Sequence, residues 1–374
     1  MAGYTSAPLN SFSIFRIKNY KNEQIKYAAF YPTDEKVLQS IKSDAQLSSR
    51  LDIEDSGGSI FSYFKMIRKW SNSISEEDLA IIHGHQPGSS IVGILALFSK
   101  RKEIPFVYTV HNSFTNFPLF KRVVLFLCFF GADAIIFVSK SAYISFAPYL
   151  PQKLLRKSIV IQNGVDMDRI NKAISLVSDK DIKKDGIFRI ACIGRLVSQK
   201  NLHFLIDVIS KLNSTIQLDI YGEGELRSEL QQKIDESNLK DQIILHGNVS
   251  RDDLFIFLKK SDLYVSVANY EGLPMAAMEA LAIGKYCLLS DIDSHFEIQS
   301  LVPTVNICKR AVSKWAEEIE SVINMNYEQR EEVGMQNREY IEKALTMDKM
   351  QKKYTEVYKN VITKRSFKKN AKDS

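Results

Sequence analysis

The chain has 374 residues, 45% of them hydrophobic and 25% charged, with a formal net charge of +6. That length exceeds one hydrophobic core and predicts two domains, and the composition is that of a globular protein rather than a disordered or disulfide-stapled chain. The longest apolar run, 123–130, falls short of the ~20 residues a bilayer-spanning helix needs.

No charged-then-apolar signal segment opens the sequence, and the four cysteines (Cys128, Cys192, Cys287, Cys308) have no zinc or disulfide spacing. A reduced, cytoplasmic compartment is therefore expected.

In chain order, strand-like apolar runs occupy 25–31, 79–84, Phe106–Val110, 134–138 and 158–161. The polar stretch 171–185 reads as an interdomain linker. Further strands are predicted at Phe188–Ile193, Ile216–Tyr221, 242–245, 263–267, 285–289 and 304–307, with helices at 201–212, Met275–Ile283, 327–343 and 349–362. Alternating strands and helices, with near-continuous apolar strands, predict parallel sheets buried on both faces. The tail KRSFKKNAKDS is basic and expected to fray. The excess charge lies in the front half: residues 1–165 hold 19 Lys and Arg against 12 Asp and Glu, and the remainder 31 against 32.

Two stretches carry the chemistry. In NYEGLPMAAMEALAIG, Pro274 suits the first turn of a helix, which puts Glu271 in the loop ahead of it and Glu279 about two turns in. A helix start offers backbone N–H groups and a positive dipole end to a diphosphate, and flanking carboxylates can accept sugar hydroxyls. Alone, this common spacing is better read as two ordinary surface acids. Upstream, strand Phe188–Ile193 runs into Gly194, Arg195 and Lys200 ahead of a helix. Open α/β sheets bind ligands at that edge, and Arg and Lys are phosphate-binding types.

Other motifs exclude chemistry. Gly222-x-Gly224 follows a strand, but Arg227 stands where a third glycine would complete a dinucleotide fingerprint, so a nicotinamide cofactor is not expected. His83-x-His85 has metal-pair spacing without a third ligand, so no metal is expected. The pairs Asp166/Asp168 and Asp291/Asp293 read as structural, and Ser250 as a helix N-cap.

Nine segments in order, from IIHGHQPGSS through VYTVHNSF, GADAIIFVSKS, IVIQNGVD, GRLVSQKNL, IYGEGELRSEL, LHGNVSRDDL and the Glu271–Glu279 stretch to LLSDID, resemble family 4 retaining glycosyltransferases of the bacterial surface-polysaccharide type. The resemblance covers about residue 79 to the C-terminal helix. It implies the GT-B fold: α/β, two Rossmann-like domains facing a central cleft. Residues 1–168 would form an acceptor domain and 169–345 a nucleotide-sugar domain. Residues 346–374 would form a helix packing back on the first domain, with the basic tail. It also implies a metal-independent enzyme that needs no cofactor beyond its nucleotide-diphosphate sugar co-substrate, building lipopolysaccharide, O-antigen or capsule.

The roles implied are specific. Arg195, Lys200 and the backbone at Gly272 and Leu273 would hold the diphosphate, Glu271 the sugar hydroxyls and Glu279 the ribose. The backbone near Val249 would hold the base, with Gly222 at the nucleotide end. His111 would contact the transferred sugar, and His85 lies on the acceptor side. Asn112 stands where many relatives carry Asp. The start MAGYTSAPLNSFSIFRIKNY departs from the family's buried first strand, which is missing, shortened or replaced, and Gly3, Tyr4 and Thr5, where a remnant of the Gly-rich loop would stand, are not expected to be ligands.

The acceptor implied is a glycan or lipid-linked sugar. The basic front half suits peripheral contact with an anionic inner membrane and equally suits plain solubility. The stretch 117–130, with Lys121 and Arg122 among aromatics, could lie on a membrane, although burial against the sheet is the simpler expectation. Nucleic acid is not expected, for want of a base-reading helix or an RNA-binding aromatic signature. The alternatives are a catalytically inactive binding subunit, a sugar-nucleotide epimerase of the same architecture and, against the broken glycine pattern, an oxidoreductase.

Overall fold

The computed structural model describes residues 27–29, 51–53, 81–85, 87–88, 90–91, 94–95, 105–178 and 186–373. Gly3, Tyr4 and Thr5 lie outside them. The chain divides into two compact units. The first comprises the described residues up to Val138, then Ala142–Ile161 and the stretch from Gln351; the second comprises Ser139–Ser141 and Gln162–Met350.

In the first unit, β1 (Tyr27–Ala29) pairs in parallel with β2 (Leu51–Ile53), a strand the sequence reading missed. A parallel sheet runs in the order β3 (Ile82–Gly84), β4 (Phe106–Val110), β5 (Ala134–Phe137), β6 (Ser158–Val160). Every residue of β4 and β5 is buried, which is why both read as unbroken apolar runs. Helix α1 (Leu119–Gly131) buries Leu125, Cys128 and Phe129; the Phe129 ring meets Tyr108 and Phe137 edge-on at 5.7 and 6.3 Å.

The second unit opens with α2 (Met167–Ile174), capped by Asp166, whose carboxylate accepts from Arg169 N at 3.1 Å. The expected linker is therefore helical in its first part. Ile170 and Ala173 anchor that turn by burial, and eight residues are too few to show a period. There follow β7 (Phe188–Ile193), α3 (Leu202–Ile209), β8 (Ile216–Tyr221), α4 (Arg227–Glu236), β9 (Ile243–Gly247), α5 (Arg251–Lys260), β10 (Leu263–Ser266) and α6 (Met275–Ile283). The unit continues with β11 (Tyr286–Ser290), α7 (Asp293–Leu301), β12 (Asn306–Cys308), α8 (Val312–Asn324) and α9 (Tyr327–Ala344).

All its strands are parallel, in the order β9-β8-β7-β10-β11-β12. This is the doubly wound arrangement, whose direction of winding reverses between β7 and β10. The crevice at such a reversal opens beyond the carboxyl ends of those two strands.

Helix α10 (Met347–Asp373) runs unbroken through the tail that was expected to fray. On the first unit, Tyr358 bonds His83 at 2.6 Å, Tyr354 bonds Thr109 at 3.4 Å, and Arg365 grips Asp133 through two bonds of 2.9 and 3.0 Å. Among the described residues no helix is long and apolar enough to cross a membrane.

Candidate active site

The loops leaving β7 and β10 are laced together at the reversal point. Gln199 donates to the Tyr270 carbonyl at 2.8 Å and accepts from Asn269 N at 2.8 Å, while the Asn269 amide reaches Ser198 O at 3.0 Å. This lacing brings the Lys200 ammonium onto the Glu271 carboxylate, with both side chains largely buried, at 13% and 10% exposure. Lys200 lies across Gly194, where a Cβ would come within 2.7 Å of its Cε. A side chain at 194 would therefore require the Lys200 arm to shift. Arg195, on the same loop, is exposed and forms no side-chain ion pair among the described residues.

Gly272 and Leu273 are buried at the start of α6, and no side chain caps that helix at Pro274. All nine residues of α6 are buried, which rules out a solvated helix carrying two surface acids. Glu279 is 3% exposed and bonded to Arg251. Burial pushes its carboxyl up, and the Arg251 guanidinium pulls it back. Arg251 was not singled out from the sequence; it opens α5, directly after its Ser250 cap. Val249 lies half-buried just ahead of them.

Gly222 has φ +140°, and a Cβ there would collide with the Gly194 carbonyl; one at Gly224 would collide with that of Leu196. The loops after β7 and β8 are pressed together, with Leu196 N bonded to Glu223 O at 2.9 Å. This glycine pair thus has a packing reason that needs no dinucleotide.

Sequence reasoning also missed His295. It is fully buried in the first turn of α7, and its Nδ1 bonds the Ser290 carbonyl at 2.8 Å. Nδ1 must therefore carry the proton, which leaves Nε2 as a bare acceptor, and Nε2 has no partner among the described residues. Burial lowers its pKa to about 4, with Glu271 and Lys200 close enough to act on it. No spacing marked it, since it looks like any polar residue after an Asp-x-Asp pair. Glu297 was likewise missed: it accepts from the backbone of Lys140 and Ser141, each at 2.8 Å, and from Gln162 at 2.6 Å.

In the first unit, His85 Nδ1 and His111 Nε2 share a bond of 2.9 Å at the carboxyl ends of β3 and β4. His83 stacks on His85 at 4.1 Å and bonds Thr109 and Tyr358 at 2.7 and 2.6 Å. Burial lowers His83 to about 3, His111 to about 4 and His85 well below its usual range, so all three rings are neutral near pH 7. No group of three or more His, Cys, Asp or Glu among the described residues could hold a metal ion.

Two Rossmann-like units, the second with ion-paired loops at its winding reversal, define an α/β class of two-domain proteins. Residues 51–169 match the family model Glycosyltransferase Family 4, and residues 177–340 match Glycosyl transferases group 1. The chain belongs to this glycosyltransferase family, with the GT-B fold class. It is 27% identical over 265 residues to the UDP-Gal:alpha-D-GlcNAc-diphosphoundecaprenol alpha-1,3-galactosyltransferase of Escherichia coli, covering 63% of this chain and 62% of that one. It is 31% identical over 233 residues to an uncharacterized glycosyltransferase of Methanocaldococcus jannaschii, covering 61% and 60%. The chain thus spans about six tenths of the length of these curated relatives. Its fold is shared with Anabaena HepE, whose crystal structure is in complex with UDP and glucose: TM-score 0.76, 16% identity, 89% of this chain and 91% of that one.

Proposed function

We propose that the protein is a retaining, metal-independent glycosyltransferase that moves a sugar from a nucleotide-diphosphate sugar to a hydroxyl of a glycan or lipid-linked acceptor. Its setting would be polysaccharide biosynthesis at the inner face of the cytoplasmic membrane. The observation that carries this reading is the buried Lys200–Glu271 pair where the second sheet reverses, at the uncapped start of α6.

An arriving diphosphate competes with Glu271 for Lys200. The exchange frees the Glu271 carboxylate to accept hydrogen bonds from the transferred sugar. Arg195, exposed on the same loop, closes on the phosphates with its planar fork, and the Gly272–Leu273 backbone adds the dipole of α6. Glu279 accepts from the ribose beside Arg251, Val249 borders the base, and Gly222 keeps the neighbouring loop close.

As the glycosidic bond breaks, negative charge grows on the leaving phosphate. Cations already in place stabilise it most where it develops, so Arg195, Lys200 and the helix dipole supply what a metal would. The acceptor hydroxyl attacks from the leaving-group face, which retains the anomeric configuration. His111 and its partner His85 are assigned to sugar and acceptor handling within the first unit, as neutral hydrogen-bonding groups. The name of the Escherichia coli relative supports a lipid-diphosphate-linked sugar as the acceptor class.

The test is transfer from UDP-, GDP- and ADP-hexoses to a GlcNAc-diphospholipid, with the product read by mass spectrometry and its anomeric centre by NMR. An α-linked product that forms in EDTA is expected. A β-linked product would remove retention from the reading, and activity lost in EDTA but restored by manganese would remove metal independence. Donor binding with no transfer to any acceptor would favour the inactive binding subunit.

A further inference from the structure

We infer that the outer face of α1 is a docking surface for an anionic lipid bilayer. Five large apolar side chains of this helix stand in solvent: Leu119 (77% exposed), Phe120 (78%), Val123 (56%), Leu127 (53%) and Phe130 (56%). At ~100° per residue they fall within an arc of about 100°, opposite the buried Leu125, Cys128 and Phe129. No polar residue lies on that arc. A surface helix ordinarily turns a polar face outward, so a continuous apolar stripe of this kind marks an interaction site.

The rim says what the partner is. At one end the Arg122 guanidinium sits 4.4 Å over the Phe114 ring, and Tyr149, itself exposed, stacks on the same ring. At the other end Lys157 donates to the Phe130 carbonyl. Residues 104–165 hold six Lys and Arg against a single acid, Asp133, which Arg365 already occupies. Cations and aromatics framing an apolar helix face fit the headgroup and acyl layers of an anionic membrane. A second copy of the chain fits badly, because a two-fold contact would set one basic rim against another. The inference rests on the membrane location proposed above but not on the donor site.

The experiment is flotation of the full chain with vesicles of phosphatidylglycerol and phosphatidylethanolamine, or of phosphatidylcholine alone. The wild-type chain should float with the anionic vesicles, release with salt, and bind phosphatidylcholine at least ~10-fold more weakly. The double variant Phe120→Glu/Leu127→Glu should lose at least ~10-fold in anionic binding, with Tm and nucleoside-diphosphate binding unchanged. A second variant, Phe120→Trp, keeps the face apolar; its extra emission should shift to the blue on the vesicles and be quenched by brominated lipid. Wild-type vesicle binding by the double variant, no flotation of the wild-type chain, no response of the new tryptophan, or a wild-type dimer that the double variant dissolves would each overturn the inference. Failed nucleotide binding by the wild-type chain would instead count against the donor-site reading.

Discussion

The two units bury their titratable side chains in opposite ways. The second holds opposite charges against each other, Lys200 with Glu271 and Arg251 with Glu279. The first holds His83, His85 and His111 as neutral rings, His85 bonded to His111, and His83 stacked on His85 and bonded to Thr109 and to Tyr358 of α10. A buried ion pair is poised to exchange one partner for an incoming ion, because desolvation is already complete and only the partner changes. A neutral imidazole offers direction and no net charge. On the proposed reading, the charged part of the donor belongs to the second unit.

The largest expected effect breaks the second half of that contrast. Lys200→Ala should cut kcat by ~10²–10³, the usual loss for one preorganised transition-state contact; steady-state turnover at saturating donor is the check. Unchanged turnover would mean that the pair is structural only.

Acid sharpens the first half. The folded pKa values of His83 and His111, about 3 and about 4, lie below the unfolded value of 6.5. As pH falls below 6.5 the unfolded chain takes up protons that the folded chain refuses, so stability present above 6.5 is lost toward pH 4. Each such histidine costs about 1.4 kcal/mol per pH unit. With three in the first unit and His295 alone in the second, hydrogen exchange at pH 5 should open β3 and β4 before β7 and β10. Simultaneous opening, or the reverse order, would count against the assignment of neutral rings.

A smaller effect separates the two nitrogens of His295. Asn can replace the Nδ1 donor to Ser290, whereas Gln reaches the Nε2 position, which has no partner among the described residues. His295→Asn should therefore melt above His295→Gln, by an amount corresponding to about 1 kcal/mol for the retained bond. The smallest effect is expected at the edge of the first unit, where Asp133→Asn weakens a partly exposed pair with Arg365 and should cost about 1 kcal/mol or less in chemical denaturation.

How much was legible follows from range. Phe188–Ile193 and Ile216–Tyr221 are central strands buried on both faces, so their apolar runs mark both ends correctly. The helix at Met275–Ile283 was legible because Pro274 marks its start and Gly284, at φ 86°, its end. Glu271 and Lys200 could be named singly, but their pairing needs two loops 71 residues apart to meet. Arg251 was missed because its partner lies 28 residues away, across a strand. The helix α1 shows the limit most plainly: apart from Lys121 and Arg122, 119–130 is apolar, and composition cannot say which apolar side faces water. Tertiary packing buries only one of them.

The most direct measurement is calorimetric titration of UDP, GDP and ADP into the wild-type chain, Lys200→Ala and Glu279→Gln. One nucleoside diphosphate should bind at a single site, with affinity reduced at least ~10-fold in each variant, as loss of a charge-assisted hydrogen bond requires. Equal affinity in all three proteins would contradict a nucleotide site at the reversal of the second sheet.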